Sequence, residues 1–392
     1  MKLIILIFLL VIVKPVLAEI YTEQYGSIKL TGTSFFQDVP TDNRNNTKLE
    51  TDIEYNFYLE KDTIEIKLQS KVKLGNPALK NQFDFNEAYI SGYRDNFDYL
   101  IGNNIIFWGK SEFFNPVDII NSYDFSRGLN KGEKIGQPMI NIKRYLNIGD
   151  LDLYLLYPTK NIYPSNEIRS QISFNFDNYS KYSNGASNSN IGYGLRVSGY
   201  KGDVDYGFSL YKGNSKDPAI NIINSKAVPN YSEIDQLGID LQITKDSHLY
   251  KGEFIYRSDQ YDVNGFLSNY FASNLGYEKT FFGIFQKNWD LSLLSEYTYD
   301  SRGRTSHTGF QNDIFLGTSL SLNNIQDTQS RFIIINDLDR QTRSLNFSFE
   351  SRFFSIIRGG LEFYYPLNLD NDLHNSSFKD EANVTIYSKY SF

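Results

Sequence analysis

Cysteine is missing from all 392 residues, and methionine and tryptophan occur twice each. The lack of thiols excludes disulfide frameworks, thiolate metal centres and cysteine nucleophiles. Three histidines, His248, His307 and His374, are the whole imidazole inventory, and none stands in a motif that would position it as a base or a ligand. The stretch from Gly128 to Lys134 lacks the Gly-Lys-Ser/Thr ending of a phosphate loop. Asn368-Leu369-Asp370-Asn371-Asp372 alternates oxygen side chains without the turn glycine and distal glutamate of a calcium loop. No catalytic group, cofactor site or metal site is therefore expected. Long apolar runs are also missing beyond the first eighteen residues, and mean hydropathy is −0.41. A polytopic helical membrane protein needs repeated runs of roughly 18 or more apolar residues and is excluded. With 39 Lys+Arg against 46 Asp+Glu, the net charge of −7 argues against a nucleic-acid partner.

What the chain has in quantity is 30 tyrosines and 30 phenylalanines, a palette of pleated surfaces and water–lipid interfaces. At its start, Met1-Lys2 supplies a positive end, Leu3 to Val13 an apolar stretch and Val16-Leu17-Ala18 a small-residue cleavage site. Together they predict a secretory signal peptide over residues 1–18 and a mature chain of 19–392.

The mature chain repeats one unit: ten to thirteen residues of alternating polarity, a turn, another such stretch, then a loop. Ile64, Ile66, Leu68, Val72 and Leu74 alternate with Glu65, Lys67, Gln69, Lys71 and Lys73. Tyr250, Phe254 and Tyr256 alternate with Lys251, Glu253 and Arg257, and Leu345, Phe347, Phe349 and Phe353 with Asn346, Ser348, Glu350 and Arg352. Such residues sort onto opposite faces of a strand and would scatter around a helix. Short turns, as at 60–62, 94–96, 147–150, 201–203, 245–247, 286–288 and 324–327, alternate with longer polar loops near 38–48, 75–82, 110–136, 159–190, 215–230, 259–267, 301–311, 337–341 and 367–380. That asymmetry predicts an all-β fold, a single transmembrane antiparallel β-barrel with short periplasmic turns and long extracellular loops. Nine loops imply about 18 strands, with 16 as the alternative.

The last strand places Val384, Ile386, Tyr390 and the terminal Phe392 on one face. It resembles the C-terminal signature of bacterial outer-membrane barrels, which implies recognition by the barrel-assembly machinery through Tyr390 and Phe392. A second resemblance covers residues 86–125. Glu87-Ala88-Tyr89, then Gly102 to Trp108-Gly109, then Asn115-Pro116-Val117-Asp118 and Asp124 are similar to a family of porin-like proteobacterial barrels, mostly uncharacterised, with an E-A-Y strand, a W-G strand end and an N-P-x-D loop. The chain departs from that pattern at Asn103, where the family has Arg, and at Ser122-Tyr123, where Pro-Arg is common.

Greasy faces toward lipid leave Glu54, Glu65, Lys67, Lys71, Lys73, Glu87, Lys143, Arg196, Lys251, Glu253, Arg257, Glu296, Glu350, Arg352 and Glu362 facing inward as candidate pore-lining groups. Charges of both signs are stable there only in water or in pairs. A cylinder of about 18 strands is too wide for side chains alone to fill. The expected function is an outer-membrane channel for passive or mildly selective diffusion of small hydrophilic solutes, and not an enzyme. Its expected partners are those solutes, outer-membrane lipid and lipopolysaccharide. The 110–136 loop is expected to fold inward as the constriction, with Trp108, Asn115, Pro116, Asp118, Asp124, Lys131 and Lys134 as its candidate residues. Two alternatives are a more specific uptake or polysaccharide export channel, favoured by inward aromatics such as Tyr58, Tyr89 and Tyr200, and a surface barrel with adhesive or enzymatic loops.

Overall fold

Two-residue periodicity becomes a closed sheet when each stretch pairs with the next and the last returns to the first. The computed structural model describes residues 20–37, 47–75, 81–128, 132–164, 175–340, 342–369 and 378–392. The expected signal peptide, Lys131 and His374 lie outside the described residues. The strands are β1 (Tyr21–Phe35), β2 (Thr47–Lys61), β3 (Ile64–Gly75), β4 (Gln82–Arg94), β5 (Phe97–Asn104), β6 (Tyr123–Asp124), β7 (Glu133–Lys134), β8 (Gln137–Leu146), β9 (Gly149–Leu156), β10 (Lys181–Tyr182), β11 (Gly192–Lys201) and β12 (Val204–Asn214). They continue as β13 (Ala219–Ile223), β14 (Lys226–Tyr231), β15 (Glu233–Lys245), β16 (His248–Tyr261), β17 (Leu267–Ile284), β18 (Trp289–Asp300), β19 (Asn312–Ser321), β20 (Gln329–Asp337), β21 (Arg343–Phe354), β22 (Ile357–Leu367) and β23 (Asn383–Ser391).

Eighteen of these form one sheet in which every sequential neighbour pairs antiparallel. The five short strands β6, β7, β10, β13 and β14 belong to the long connections. The barrel closes where β1 meets β23, from Ser27↔Ser391 to Phe35↔Asn383. Gly26 and Phe392 exchange backbone hydrogen bonds of 2.8 and 3.0 Å at that seam. Position 26 must be glycine, because an added Cβ would lie 2.6 Å from the Phe392 ring. Eighteen strands agree with the count from loops and exclude 16. The short turns lie where the sequence places them, with an eighth at residues 355–356 between β21 and β22 that the alternation conceals. Asp62, Asp95, Asp246 and Gly202 adopt positive φ in these turns, a conformation that Asp tolerates and Gly adopts freely.

Register fixes which face is which. The odd residues of β3 pair with inward residues of β2 and β4, while Ile64, Ile66, Leu68, Val72 and Leu74 point outward. Around the circumference the outward face is apolar and exposed, as at Leu153, Leu237, Tyr256, Leu275 and Ile386. No aqueous surface sustains so continuous an apolar band, whereas a hydrocarbon surround suits a sheet without free edges. Arg352 keeps the inward register, opposite Arg358, but is exposed at the short-turn end, just before the bulge at Phe353.

Candidate functional site

The lumen of so wide a barrel is partly filled by the chain's own connection between β5 and β8, described over residues 105–128 and 132–136. Trp108, Val117, Ile119 and Ile120, from this connection, are 0–3% exposed. They form an apolar cluster with inward residues of the wall, among them Met139, Tyr154, Leu156, Ile234 and Ile255. Trp108 therefore does not belong to an outer aromatic girdle. It packs edge-on against Tyr154 with ring centroids 5.8 Å apart, and the Arg196 guanidinium lies 5.6 Å from its ring. Burying these four side chains contributes about 1.5–3 kcal/mol each.

Backbone polarity is satisfied by the wall. One Glu253 carboxylate accepts from the backbone N–H groups of Lys110 at 2.6 Å, Ser111 at 2.9 Å and Val117 at 3.4 Å. Glu296 accepts from Glu112 at 2.7 Å and Phe113 at 3.2 Å. Gln236 and Asn274 donate to the carbonyls of Val117 and Phe114. The Trp108-Gly109 step brings the chain against this anchor: Gly109 has φ +118°, and a Cβ there would lie 2.6 Å from both Asn115 and Glu253 oxygens. Asn115-Pro116-Val117-Asp118 forms a turn closed by the Asp118 N–H on the Asn115 carbonyl at 3.2 Å, with Pro preset at its second position.

Ion pairs fasten the remainder. Asp118 meets Lys134 at 2.5 Å inside the loop, and Asp124 meets Lys73 at 2.7 Å. Glu133 bridges Lys71 and Lys73 at 2.7 and 3.0 Å. Burial pushes the Asp118 carboxyl above its usual range despite Lys134. Burial also acts on Glu133, but Lys71 and Lys73 outweigh it and hold that carboxyl well below the usual range. Lys216, in the connection after β12, is surrounded by neutral acceptors: Ser122 Oγ at 3.3 Å, Thr159 Oγ1 at 3.2 Å and Gln137 Oε1 at 3.5 Å. Burial pushes its ammonium down to about 7.

The candidate inward residues thus divide. Lys73, Arg196, Lys251, Glu253 and Glu296 face inward but are at most 8% exposed beneath the inserted segment, so they hold the loop and do not line open space. Lys71 is likewise engaged by Glu133. Glu65 and Lys143 face inward toward the short-turn end, where Lys143 lies 3.6 Å from Asp150, and Lys67 pairs with Glu87 at 2.7 Å.

Open space runs on the opposite side, along β18 to β23. An outer cavity of about 1330 Å³ at the long-loop end is bounded by Tyr123, Arg302, Ile333, Asp337 and Tyr364, with Arg257 on its wall. An inner cavity of about 480 Å³ at the short-turn end is bounded by Glu278, Leu294, Ser319, Glu350 and Tyr387. Both are lined by Arg331, Ser348 and Glu362, which marks their meeting point. The loop reaches this narrowing with Glu112 and Phe113. Phe113 stacks on inward Phe315 at 4.8 Å, and Glu112 pairs with Lys251 at 2.7 Å and Arg331 at 3.4 Å. Burial raises the Glu112 carboxyl, but the two cations win and leave it below its ordinary range.

Glu112, Phe113 and Arg331 are the residues that sequence reasoning missed. Glu112-Phe113-Phe114 sits between the two motif segments, and an acid beside paired aromatics in a polar loop was the available signal. Arg331 was hidden because the lumen wall beyond it is apolar: inward Ile333 and Ile335 flank outward Phe332 and Ile334, which erases the alternation.

No family model matches the chain, and no curated protein matches it. Its fold is similar to solved structures. OccAB1 of Acinetobacter baumannii aligns over 97% of this chain and 98% of its own, at 6% identity and a TM-score of 0.55. OccK8 (OprE) of Pseudomonas aeruginosa aligns over 95% and 97%, at 8% identity and a TM-score of 0.52. The outer membrane channel DcaP of Acinetobacter baumannii aligns over 96% and 98%, at 10% identity and a TM-score of 0.47. At these identities the first two establish the shared barrel fold.

Proposed function

We propose that the chain is an outer-membrane channel through which small hydrophilic solutes diffuse passively, with a mild preference for cations. The observation that carries this reading is the pair of cavities meeting at Arg331, Ser348 and Glu362, beside a loop tip bearing Glu112. Selectivity follows from charge at the narrowing. The inner cavity is lined by Glu112, Glu278, Glu350 and Glu362 against Arg331. Glu112 is engaged by Lys251 and Arg331, and Glu350 by Arg358. Glu278 and Glu362 have no cationic partner among the described residues, so the local field is negative. The remaining parts of the reading are export by residues 1–18, assembly through the Tyr390 and Phe392 face by the barrel-assembly machinery, and insertion with the short turns in the periplasm and the long loops toward lipopolysaccharide.

Single-channel recording in planar bilayers tests the reading. Ohmic conductance with a cation-preferring reversal potential in a salt gradient is expected, and Glu278→Gln with Glu362→Gln should move that potential toward neutrality. A folded protein that passes no current would overturn it.

One observation favours a second reading, uptake of a more specific ligand. Tyr123, Phe125, Tyr163 and Phe176 stack in sequence with centroids 5.8, 5.7 and 4.4 Å apart, and Tyr123 and Phe125 line the outer cavity. An aromatic wall of this kind offers a face to apolar or ring-bearing solutes. Current block by such a solute at concentrations where small ions pass freely would favour this reading.

A further inference from the structure

We propose that the short-turn rim of the outer face is a docking belt for the phosphate groups of anionic glycerophospholipids. The inference rests on the orientation proposed above, with this rim in the periplasmic leaflet. On each of six strands that run toward the short turns, a base holds one of the last two outward positions of the regular pairing: Lys61 on β2, Arg94 on β4, Lys201 on β11 and Lys245 on β15 at the last, and Arg144 on β8 and Lys279 on β17 one step inside Leu146 and Phe281. The strands between them place apolar or aromatic residues opposite these bases, as in Lys61↔Ile64, Arg94↔Phe97, Phe97↔Arg144 and Lys201↔Val204. His248 stands between Lys245 and Lys279 in the same row. In this sector, from β2 to β18, no Asp or Glu occupies either of the two outward positions nearest the short turns.

Two features make this more than a solvated rim. The first is asymmetry between the ends of the barrel. At the long-loop end the outward bases nearest the loops, among the described residues, are Lys212 and Arg343, and Lys212 is neutralised by outward Asp235 at 3.1 Å. The second is spacing. Bases on alternate strands are separated by two strand widths, about 10 Å, so neighbours repel unless anions lie between them. The carboxylates at hand are in the turns below. The one ion pair that these bases form with them among the described residues, Arg94 with Asp95, is 3.9 Å long between side chains 89% and 88% exposed, which makes it weak. Aromatic faces steady the bases at interfacial depth: the Arg144 guanidinium lies 5.3 Å from the Phe97 ring, and Lys279 donates to His248 Nε2 at 2.8 Å. A row of bases on an apolar flank, level with an aromatic girdle, matches a layer of phosphates capping hydrocarbon. The row is interrupted at β19 to β23 and β1, where the outward positions nearest the short turns hold Leu, Ser, Phe, Ile, Gly, Tyr, Thr and Gln but no base.

The test compares the wild-type barrel with the six-fold variant K61Q, R94Q, R144Q, K201Q, K245Q and K279Q. Each is extracted from bilayers containing equal phosphatidylcholine and phosphatidylglycerol, and the retained lipids are counted by native mass spectrometry. Electrostatic tightening of roughly five-fold per well-placed base is expected, so the wild type should retain phosphatidylglycerol over phosphatidylcholine and the variant should lose that preference. Single-channel conductance in neutral bilayers should be the same in both, which separates failure of the belt from failure of the channel reading. Equal retention of phosphatidylglycerol by both proteins would overturn the proposal. So would a wild-type preference for lipid A, through its phosphorylated glucosamine headgroup, in a parallel extraction from bilayers holding equal lipid A and phosphatidylglycerol, since that would seat the belt in the opposite leaflet. If the six-fold variant fails to fold, the two three-fold variants, K61Q/R94Q/R144Q and K201Q/K245Q/K279Q, carry the same comparison.

Discussion

Replacing Glu253 and Glu296 together by glutamine probes what keeps the lumen narrow. The two carboxylates accept the backbone N–H groups of Lys110, Ser111 and Val117, and of Glu112 and Phe113. Hydrogen bonds to a charged acceptor contribute about 1.5–3 kcal/mol each. Glutamine keeps one acceptor oxygen and turns an NH2 toward N–H groups. At Glu253 the retained oxygen can still serve Lys110 and Ser111, which share Oε1, leaving Val117 unserved. At Glu296 the N–H groups of Glu112 and Phe113 use different oxygens, so one of them loses its partner. Each exchange thus costs about 2 kcal/mol, and the pair about 4 kcal/mol, roughly a thousandfold in the balance between seated and released loop tip.

The apolar cluster around Trp108, Val117 and Ile120 is untouched, so the base of the loop stays seated while Glu112 to Phe114 is freed. Unitary conductance of the double variant should rise, and its current should flicker as the tip exchanges between positions. Either single variant should show a smaller change in the same direction. If a double variant with normal heat-modifiable gel mobility had unchanged conductance and noise, the carboxylate anchors would not set the width of the passage.

Three other outcomes follow from named contacts. Lys216 has a folded-state pKa of about 7, below its unfolded value, so between about pH 7 and 10 the unfolded chain binds more protons and stability rises with pH. Lys216→Met should therefore raise the thermal midpoint most at pH 6–7, and the gain should vanish near pH 10; a gain independent of pH would contradict the assignment. Leu68→Arg places a cation on the outward face of β3 and should cost about 2–4 kcal/mol if the position is near the midplane, read as lost folding yield in lipid vesicles against unaffected Lys67→Gln. Deleting Phe392 removes the outward ring packed at Gly26 and its paired backbone hydrogen bonds, so surface yield in cells should fall while any assembled channels conduct normally; normal yield would separate this ring from assembly.

Wherever one face of a strand meets hydrocarbon and the other meets polar groups, the fold was legible in residue order. Ile64 to Leu74 is the plainest case, and the same rule located the seam strand from Val384 to Phe392. Where the interior is itself apolar, the rule loses its contrast, as along Phe332 to Ile335. The turn at residues 355–356 was lost for a related reason, since Phe353, Phe354, Ile356 and Ile357 surround it with apolar side chains on both sides.

The candidate site was less legible, because a charge on an inward face says only that it avoids hydrocarbon. Glu253 and Glu350 look alike in sequence, each a carboxylate with one small and one aromatic outward neighbour, Gly252 and Phe254 or Ser351 and Phe349. Glu253 is fully buried with three backbone donors, whereas Glu350 borders the inner cavity and pairs with Arg358. What separates them is the path of the connection between β5 and β8, which covers Lys73, Arg196, Glu253 and Glu296 on one side of the wall and leaves space open along β18 to β23. That path is set by contacts between residues more than a hundred positions apart, such as Lys110 with Glu253 and Glu112 with Glu296. Once the loop is seated, the buried charges on one side of the wall become its fastenings, and open space is left to the other side, where Glu278, Arg331 and Glu362 are among the charges that border it.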